Sequence, residues 1–295
     1  MEFNSYLFQI KREIKQISEI DLWDNMTYEA IKIWLKQFKT EEEILLSHLI
    51  VRNLIVRNHK QMAQLMLQAV RRAVTSFVKP EDRYRYHWQQ LLAHGYNGKT
   101  FYVGPVNFNI EGVGKPGKSG EIIMPYLKKI VPRTNHRYPD MYQYGLNANE
   151  GFLLVDDAIL SGHQIEERIN AYYKNLMLDP TKDAALVVGI AHESALTYLK
   201  RELPDLKIFY GELLLNKHSF TNLCEEWCKS KVWPDHYSSP LEVFNAISDK
   251  ANFQDKAYLG HLNQSLLLIY PYGAPDNTIQ ILRDSSDNWE GLVSR

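Results

Sequence analysis

Apolar positions in the first third of the chain recur at three- and four-residue steps. Tyr6, Ile10, Ile14 and Ile17 form one such series, Ile31, Trp34, Leu35 and Phe38 a second, and Ile44, Leu45, Leu49 and Leu54-Ile55 a third. That spacing gathers apolar side chains on one face of a helix, so it predicts helices that pack on one another or on the downstream domain. Thr40 followed by Glu41-Glu42-Glu43 reads as an N-cap with acids in the first helical turn, where the helix dipole favours them. Beyond Lys99 the pattern changes to short apolar runs alternating with amphipathic stretches. Strands are expected at 100–106, 152–155, 185–191 and 206–210, and helices at 122–130, 164–176 and 194–202. Nearly continuous apolar strands alternating with helices predict a parallel sheet covered on both faces, an α/β domain. One more apolar strand, 265–270, leads into the turn-rich aromatic segment Tyr270-Pro271-Tyr272-Gly273-Ala274-Pro275-Asp276-Asn277. The resulting division is an all-helical N-terminal region over 1–95, packing on or extending the core, and an α/β domain with a C-terminal cap over 96–295.

Composition narrows the classes without choosing among them. Over 295 residues, 34 Lys and Arg stand against 35 Asp and Glu, a net charge of −1 that gives no footprint for direct nucleic-acid binding. The paired arginines Arg52 and Arg57, then Arg71 and Arg72, read as a solvated helix face, with a contact surface for a partner or nucleic acid as the alternative. No apolar run approaches the roughly 20 residues of a membrane span. The opening Met1-Glu2-Phe3-Asn4 has neither the basic start nor the apolar core of a signal peptide, so a reducing, cytoplasmic setting is expected. The two cysteines, Cys224 and Cys228, lie four apart on one helix face, where a disulfide is awkward and two further zinc ligands are missing from the neighbourhood; free thiols are expected.

The stretch that carries chemistry is Phe152-Leu153-Leu154-Val155-Asp156-Asp157-Ala158-Ile159-Leu160-Ser161-Gly162-His163-Gln164. A buried strand ends in two adjacent carboxylates and a small-residue turn that opens into a helix, at the carboxyl end of a parallel strand, where ligands gather. Such a turn offers backbone N–H groups to an anion, and the carboxylates accept from hydroxyls or from a metal's water shell, so phosphate and sugar are the implied partners. The plainer alternative is a solvated Asp pair at the end of an ordinary strand.

A second phosphate pattern precedes it. Gly112-Val113-Gly114-Lys115-Pro116-Gly117-Lys118-Ser119 matches Gly-x4-Gly-Lys-Ser, the loop that cradles phosphates in nucleoside triphosphatases. The segment before it, Val106-Asn107-Phe108-Asn109-Ile110-Glu111, makes a poor buried strand, although that loop needs one directly upstream. The polar stretch from Pro132 to Glu150, with Arg133, His136 and Arg137, reads either as a loop that closes over a diphosphate or as a surface connection.

The strand, acid pair and turn resemble the signature of the type I phosphoribosyltransferase superfamily: a hydrophobic strand, two acids, three spacers and Thr-Gly-x-Thr. Ser161 replaces the first Thr and keeps its hydroxyl; His163-Gln164 replaces Gly-Thr. Trp34-Leu35-Lys36-Gln37-Phe38, the Ser-Gly turn, the segment Ala274 to Ile279 and the closing Trp289 to Arg295 extend the likeness to phosphoribosyltransferase-like proteins of bacterial conflict systems, over nearly the whole chain. The resemblance implies a parallel sheet flanked by helices and a site for phosphoribosyl pyrophosphate with Mg2+. Ser161, Gly162, His163 and Gln164 would then hold the ribose 5′-phosphate, and Asp156 and Asp157 the ribose hydroxyls and the metal. Lys118, with Lys115 and Ser119, would face pyrophosphate, and Arg133 and Arg137 would belong to the flexible loop. Leu160 stands where some purine-salvage relatives carry an Asp for the base. Tyr270, Tyr272, Asn277 and Trp289 are candidates for a nucleophile pocket, with aromatic packing as the alternative. The implied role is that of an effector or sensor in antiphage defence, with a reverse transcriptase and its nucleic acid as a partner in some systems, transferring or cleaving a ribosyl-phosphate bond. A catalytically silent regulatory or scaffold subunit and a nucleoside triphosphatase using Gly112 to Ser119 are the alternatives.

Overall fold

The computed structural model describes residues 3–20, 23, 26–106, 119–130, 150–176 and 184–293. The chain divides into two compact units, one built from residues 60–214 and the other from residues 1–59 with 215–295.

The first unit is the α/β layer. Strands β2 (Thr100–Pro105), β3 (Glu150–Ile159), β4 (Ala184–His192) and β5 (Lys207–Leu214) lie side by side in chain order, all parallel. Helices α6 (Ser119–Ile130), α7 (His163–Leu176) and α8 (Glu193–Glu202) make the three crossovers. β4 is buried along its whole length, the consequence of a central parallel strand having no face for water. On one face Phe152, Leu154, Leu186 and Val188 pack with Ile165 and Ile169 of α7 and Ala195 and Leu199 of α8. The opposite face is covered by α4 (His59–Ser76), whose Met62 and Met66 lie over Gly189. At β5 the approach is so close that a Cβ on Gly211 would lie 2.4 Å from the Leu65 carbonyl oxygen. Arg72 donates to the Tyr210 carbonyl at 2.8 Å, which gives one of the paired arginines a local role on the edge strand. α5 (Trp88–His94) leads into β2.

The second unit is helical. α1 (Phe3–Glu19), α2 (Tyr28–Leu35) and α3 (Glu41–Arg52) share a core with α9 (Phe220–Lys229), α10 (Pro240–Ala251) and the short α11 (Gln280–Arg283). The N-cap expected at Thr40 forms and is extended into a capping box, with Glu43 N–H on the Thr40 hydroxyl at 3.2 Å and Thr40 N–H on the Glu43 carboxylate at 3.3 Å. Two-residue strands β1 (Ile55–Val56) and β6 (Leu268–Ile269) pair in parallel. Trp34, Phe38 and Trp289 meet edge to face with centroids 4.7 to 6.2 Å apart, and both indoles donate to the Ile281 carbonyl. Gln37 bonds the Glu290 backbone in both directions, at 2.9 and 2.8 Å. Two sequence segments more than 240 residues apart are thus one contact. Cys224 and Cys228 are free, and burial pushes the Cys224 thiol well above its ordinary value.

These divisions differ from a boundary between residues 95 and 96. α4 and α5 belong with the sheet, because the second face of a parallel sheet needs an apolar cover and α4 supplies it. The chain after Leu214 joins the N-terminal helices through β6 and Trp289. The strand expected at 265–270 shortens to Leu268–Ile269: Ser265 takes φ +49°, off the extended conformation, and Leu266 and Tyr270 make only isolated bridges, to Thr278 and Gly273.

Candidate functional site

β3 runs further than its apolar residues do. It continues through Asp156 and Asp157 to Ile159, with Asp156 in register with Val188 and Ile159 with Ala191. Both carboxylates are about 95% buried, Asp156 at 4% and Asp157 at 5% exposure. Successive strand residues project to opposite faces. Asp156 lies on the α7 side, its Oδ2 3.5 Å from Nη1 of Arg168, a guanidinium four-fifths buried. Asp156 Oδ1 also accepts the Asp157 N–H at 3.0 Å, and Asp157 Oδ1 accepts the Ala158 N–H at 2.7 Å. Local backbone donors and one arginine therefore satisfy charges that a buried strand would otherwise exclude.

The turn follows at once. Ser161 is half-buried and Gly162 adopts φ +89°, and α7 begins at His163. A Cβ at Gly162 would stand 3.0 Å from the Tyr198 ring and 3.3 Å from the Ala195 carbonyl, so both the dihedral and the space require glycine. The first amides of α7 lack helical partners, and the dipole gives them positive character. Gln164 is exposed. His163 stacks on Tyr198 with centroids 4.2 Å apart, and its Nδ1 is buried without a hydrogen bond. The Tyr198 hydroxyl donates to Glu166 at 2.5 Å, and that bond pushes the phenol up to about 12, so it remains a donor. Beside the turn, His192 closes β4 and caps α8: its Nδ1 accepts the Ser194 N–H at 3.3 Å, with the Ser194 hydroxyl 2.7 Å away.

The structure thus gathers Asp156, Asp157, Ser161, Gly162, His163 and Gln164 along one strand–turn–helix junction. The chain ahead of Lys115 and Lys118 is held to the sheet as far as Val106, whose N–H donates to the Val155 carbonyl at 2.9 Å, one residue before Asp156. Lys115 and Lys118 themselves, with Arg133, His136 and Arg137, lie outside the described residues, as does Gly112 to Gly117; Ser119 is the first residue of α6. Tyr270, Tyr272, Asn277 and Trp289 belong to the helical unit. There Trp289 is core, Asn277 donates to the Gln264 side chain at 2.7 Å, and Tyr270 and Tyr272 pack ring to ring at 5.5 Å. Sequence reading missed Arg168, Tyr198, Glu166 and His192. The available signal was Arg168 beside the Ile165–Ile169 stripe of a helix bound to pack on β3; the others depend on α8 lying next to α7.

Among the described residues no three metal-ligating side chains converge, and no helix is long and apolar enough to cross a membrane. Asp156 and Asp157 offer hard oxygen donors of the kind magnesium takes, fewer than its six positions, so phosphate and water oxygens would have to complete the shell.

A four-stranded parallel sheet flanked by helices, with an acid pair and a Ser-Gly turn at its carboxyl edge, defines a phosphoribosyltransferase-type α/β protein. The chain matches the family model PRTase-CE over residues 31–295, and it belongs to that family. No curated protein matches it.

Proposed function

We propose that the protein binds a phosphorylated ribosyl ligand, phosphoribosyl pyrophosphate or a related nucleotide, at the carboxyl edge of its sheet. The observation that carries this reading is the junction itself: two buried carboxylates three residues ahead of a turn whose glycine adopts φ +89°, opening directly onto a helix N-terminus. The Ser161 hydroxyl and the amides of Gly162, His163 and Gln164 would take the 5′-phosphate, as unpaired helix amides do. Asp156 and Asp157 would accept from ribose hydroxyls, with Arg168 paired to Asp156 from the α7 side. Lys115 and Lys118, which follow β2 in the chain, and Ser119 at the start of α6 would meet pyrophosphate. Bound magnesium, held by Asp156, Asp157 and the ligand's phosphates, would supply charge neutralisation there. If the site turns over, positioning and charge stabilisation would act on a ribosyl-phosphate bond. The setting in bacterial antiphage defence, as effector or sensor with a system partner, rests on the resemblance alone.

A binding-only reading is favoured by two observations. Arg168 already neutralises Asp156, and His163 brings a bulky ring to a turn that usually carries a smaller residue.

Calorimetric titration with phosphoribosyl pyrophosphate and magnesium, with ATP in parallel, tests the proposal. Binding that disappears in Asp156→Asn and Asp157→Asn supports it; binding unchanged in both variants, or absent from the native protein, overturns it. ATP hydrolysis lost in Lys118→Ala would instead point to the Gly112–Ser119 loop.

A further inference from the structure

The helical unit holds a cavity of its own. It measures about 310 Å³ and opens among α1, α2 and α3, within the size range of small-molecule sites. Its floor is apolar, with Ile14 and Phe38 fully or nearly buried, and Tyr28 stands at its side. Three lysines surround it: Lys11 from α1 and Lys32 and Lys36 from the end of α2. Only one has a carboxylate. Lys32 pairs with Glu29 at 2.9 Å and lies 5.5 Å over the Tyr28 ring, whereas Lys11 and Lys36 make no ion pair among the described residues.

His48 adds a directional group. It is 95% buried and lines the cavity, and its Nδ1 lies 2.7 Å from the Ile44 carbonyl. A carbonyl only accepts, so Nδ1 carries the proton. Burial, with the Lys11 charge adding to it, brings the imidazole down to about 4, so the ring is neutral near pH 7 and Nε2 is an acceptor. Among the described residues no donor reaches Nε2. Nε2 is not sealed from solvent, so it is open to take a donor from water or from a ligand.

We propose that this cavity binds a small planar ring carrying an anionic group, the anion meeting Lys11 and Lys36 and a ring-edge N–H meeting His48 Nε2. The apolar floor and Tyr28 suit the ring, and two unpaired cations at one rim suit the charge. A nucleoside monophosphate and a non-nucleotide aromatic anion share this chemistry. The ligand differs in kind from a ribosyl pyrophosphate, which has no ring-edge donor and no flat apolar body.

The probes are 1-anilinonaphthalene-8-sulfonate, followed by fluorescence on the full chain, and adenosine 5′-monophosphate as competitor. Saturable binding of the dye is expected. Lys11→Gln and Lys36→Gln should each weaken it about fourfold, the effect of one unit charge at ~5 Å in water, and the double variant by more than about tenfold. Both lysines are on the surface, so folding is not at stake; Lys229→Gln, outside the cavity, should change nothing. Displacement of the dye by the monophosphate assigns the nucleotide form, and lysine-dependent dye binding without displacement assigns the non-nucleotide form. Equal dye affinity in native protein and both lysine variants overturns the proposal, because the lysine stems then merely cover apolar surface. Absence of saturable binding of either probe overturns it too. Phosphoribosyl pyrophosphate should not displace the dye, so this outcome and that of the sheet-edge site are read separately.

Discussion

The ion pair between Asp156 and Arg168 is where fold and function meet, and it can be measured. At 3.5 Å two unit charges in a medium of effective dielectric about 20 attract by roughly 5 kcal/mol before desolvation is subtracted. The Asp156 side chain is only 5% exposed and that of Arg168 20%, so much of that attraction offsets the cost of removing both from water. Arg168→Met leaves a buried carboxylate without its guanidinium, and a loss of about 3 kcal/mol is expected. Asp156→Asn keeps the shape, removes the charge and leaves an arginine that can still reach water, for about 1–2 kcal/mol. The double variant should be more stable than the sum of the two losses implies, by a coupling of about 2 kcal/mol. Urea titrations followed by circular dichroism supply the four values. A coupling below about 0.5 kcal/mol would refute the reasoning, since Asp156 would then owe its burial to other partners. Ligand binding should follow the carboxylate rather than stability: Asp156→Asn, the milder variant for the fold, should be the one that loses the ribosyl ligand.

Gly162→Ala must place a Cβ at φ +89° and 3.0 Å from Tyr198, so a loss of about 1–3 kcal/mol is expected, with a lowered thermal midpoint as the measurement; an unchanged midpoint would mean the turn relaxes freely. His48 titrates at about 4 in the folded chain against an ordinary 6.5, because burial disfavours its charged form. The unfolded chain therefore takes up this proton first, and stability that is full above pH 6.5 should fall as pH drops from there to about 4, by at most ~1.4 kcal/mol per pH unit from this group. Urea midpoints at pH 7, 6 and 5 should show that slope reduced in His48→Gln; an identical slope would contradict a buried neutral ring. Trp289→Phe keeps an edge-to-face ring against Trp34 and Phe38 but removes an N–H from the Ile281 carbonyl, which Trp34 still serves, so a modest loss of about 1–2 kcal/mol should appear in the same titration.

Local chemistry was legible in the chain itself. The period of the apolar residues marked α1 to α3 and the crossover helices, the apolar runs marked the parallel strands, and Thr40 ahead of three acids marked an N-cap that forms. Each of these depends on neighbours a few residues away. The acid pair, Ser161, Gly162 and the start of α7 were likewise readable as one junction, because strand, turn and helix follow one another without a break. Which surface each element buries was decided only by the tertiary structure. An amphipathic stripe records that α4 has an apolar face but not that this face lies on the back of β4 and β5. A two-residue strand such as β6 carries too little pattern to show that it pairs with β1, and the meeting of Trp34 with Trp289 spans most of the chain. The same limit hid Arg168 behind Asp156 and Tyr198 beneath His163. Periodicity fixes the direction of a side chain relative to its own backbone, whereas the partner it meets depends on how distant segments are brought together, and that is settled by burial summed over the whole unit.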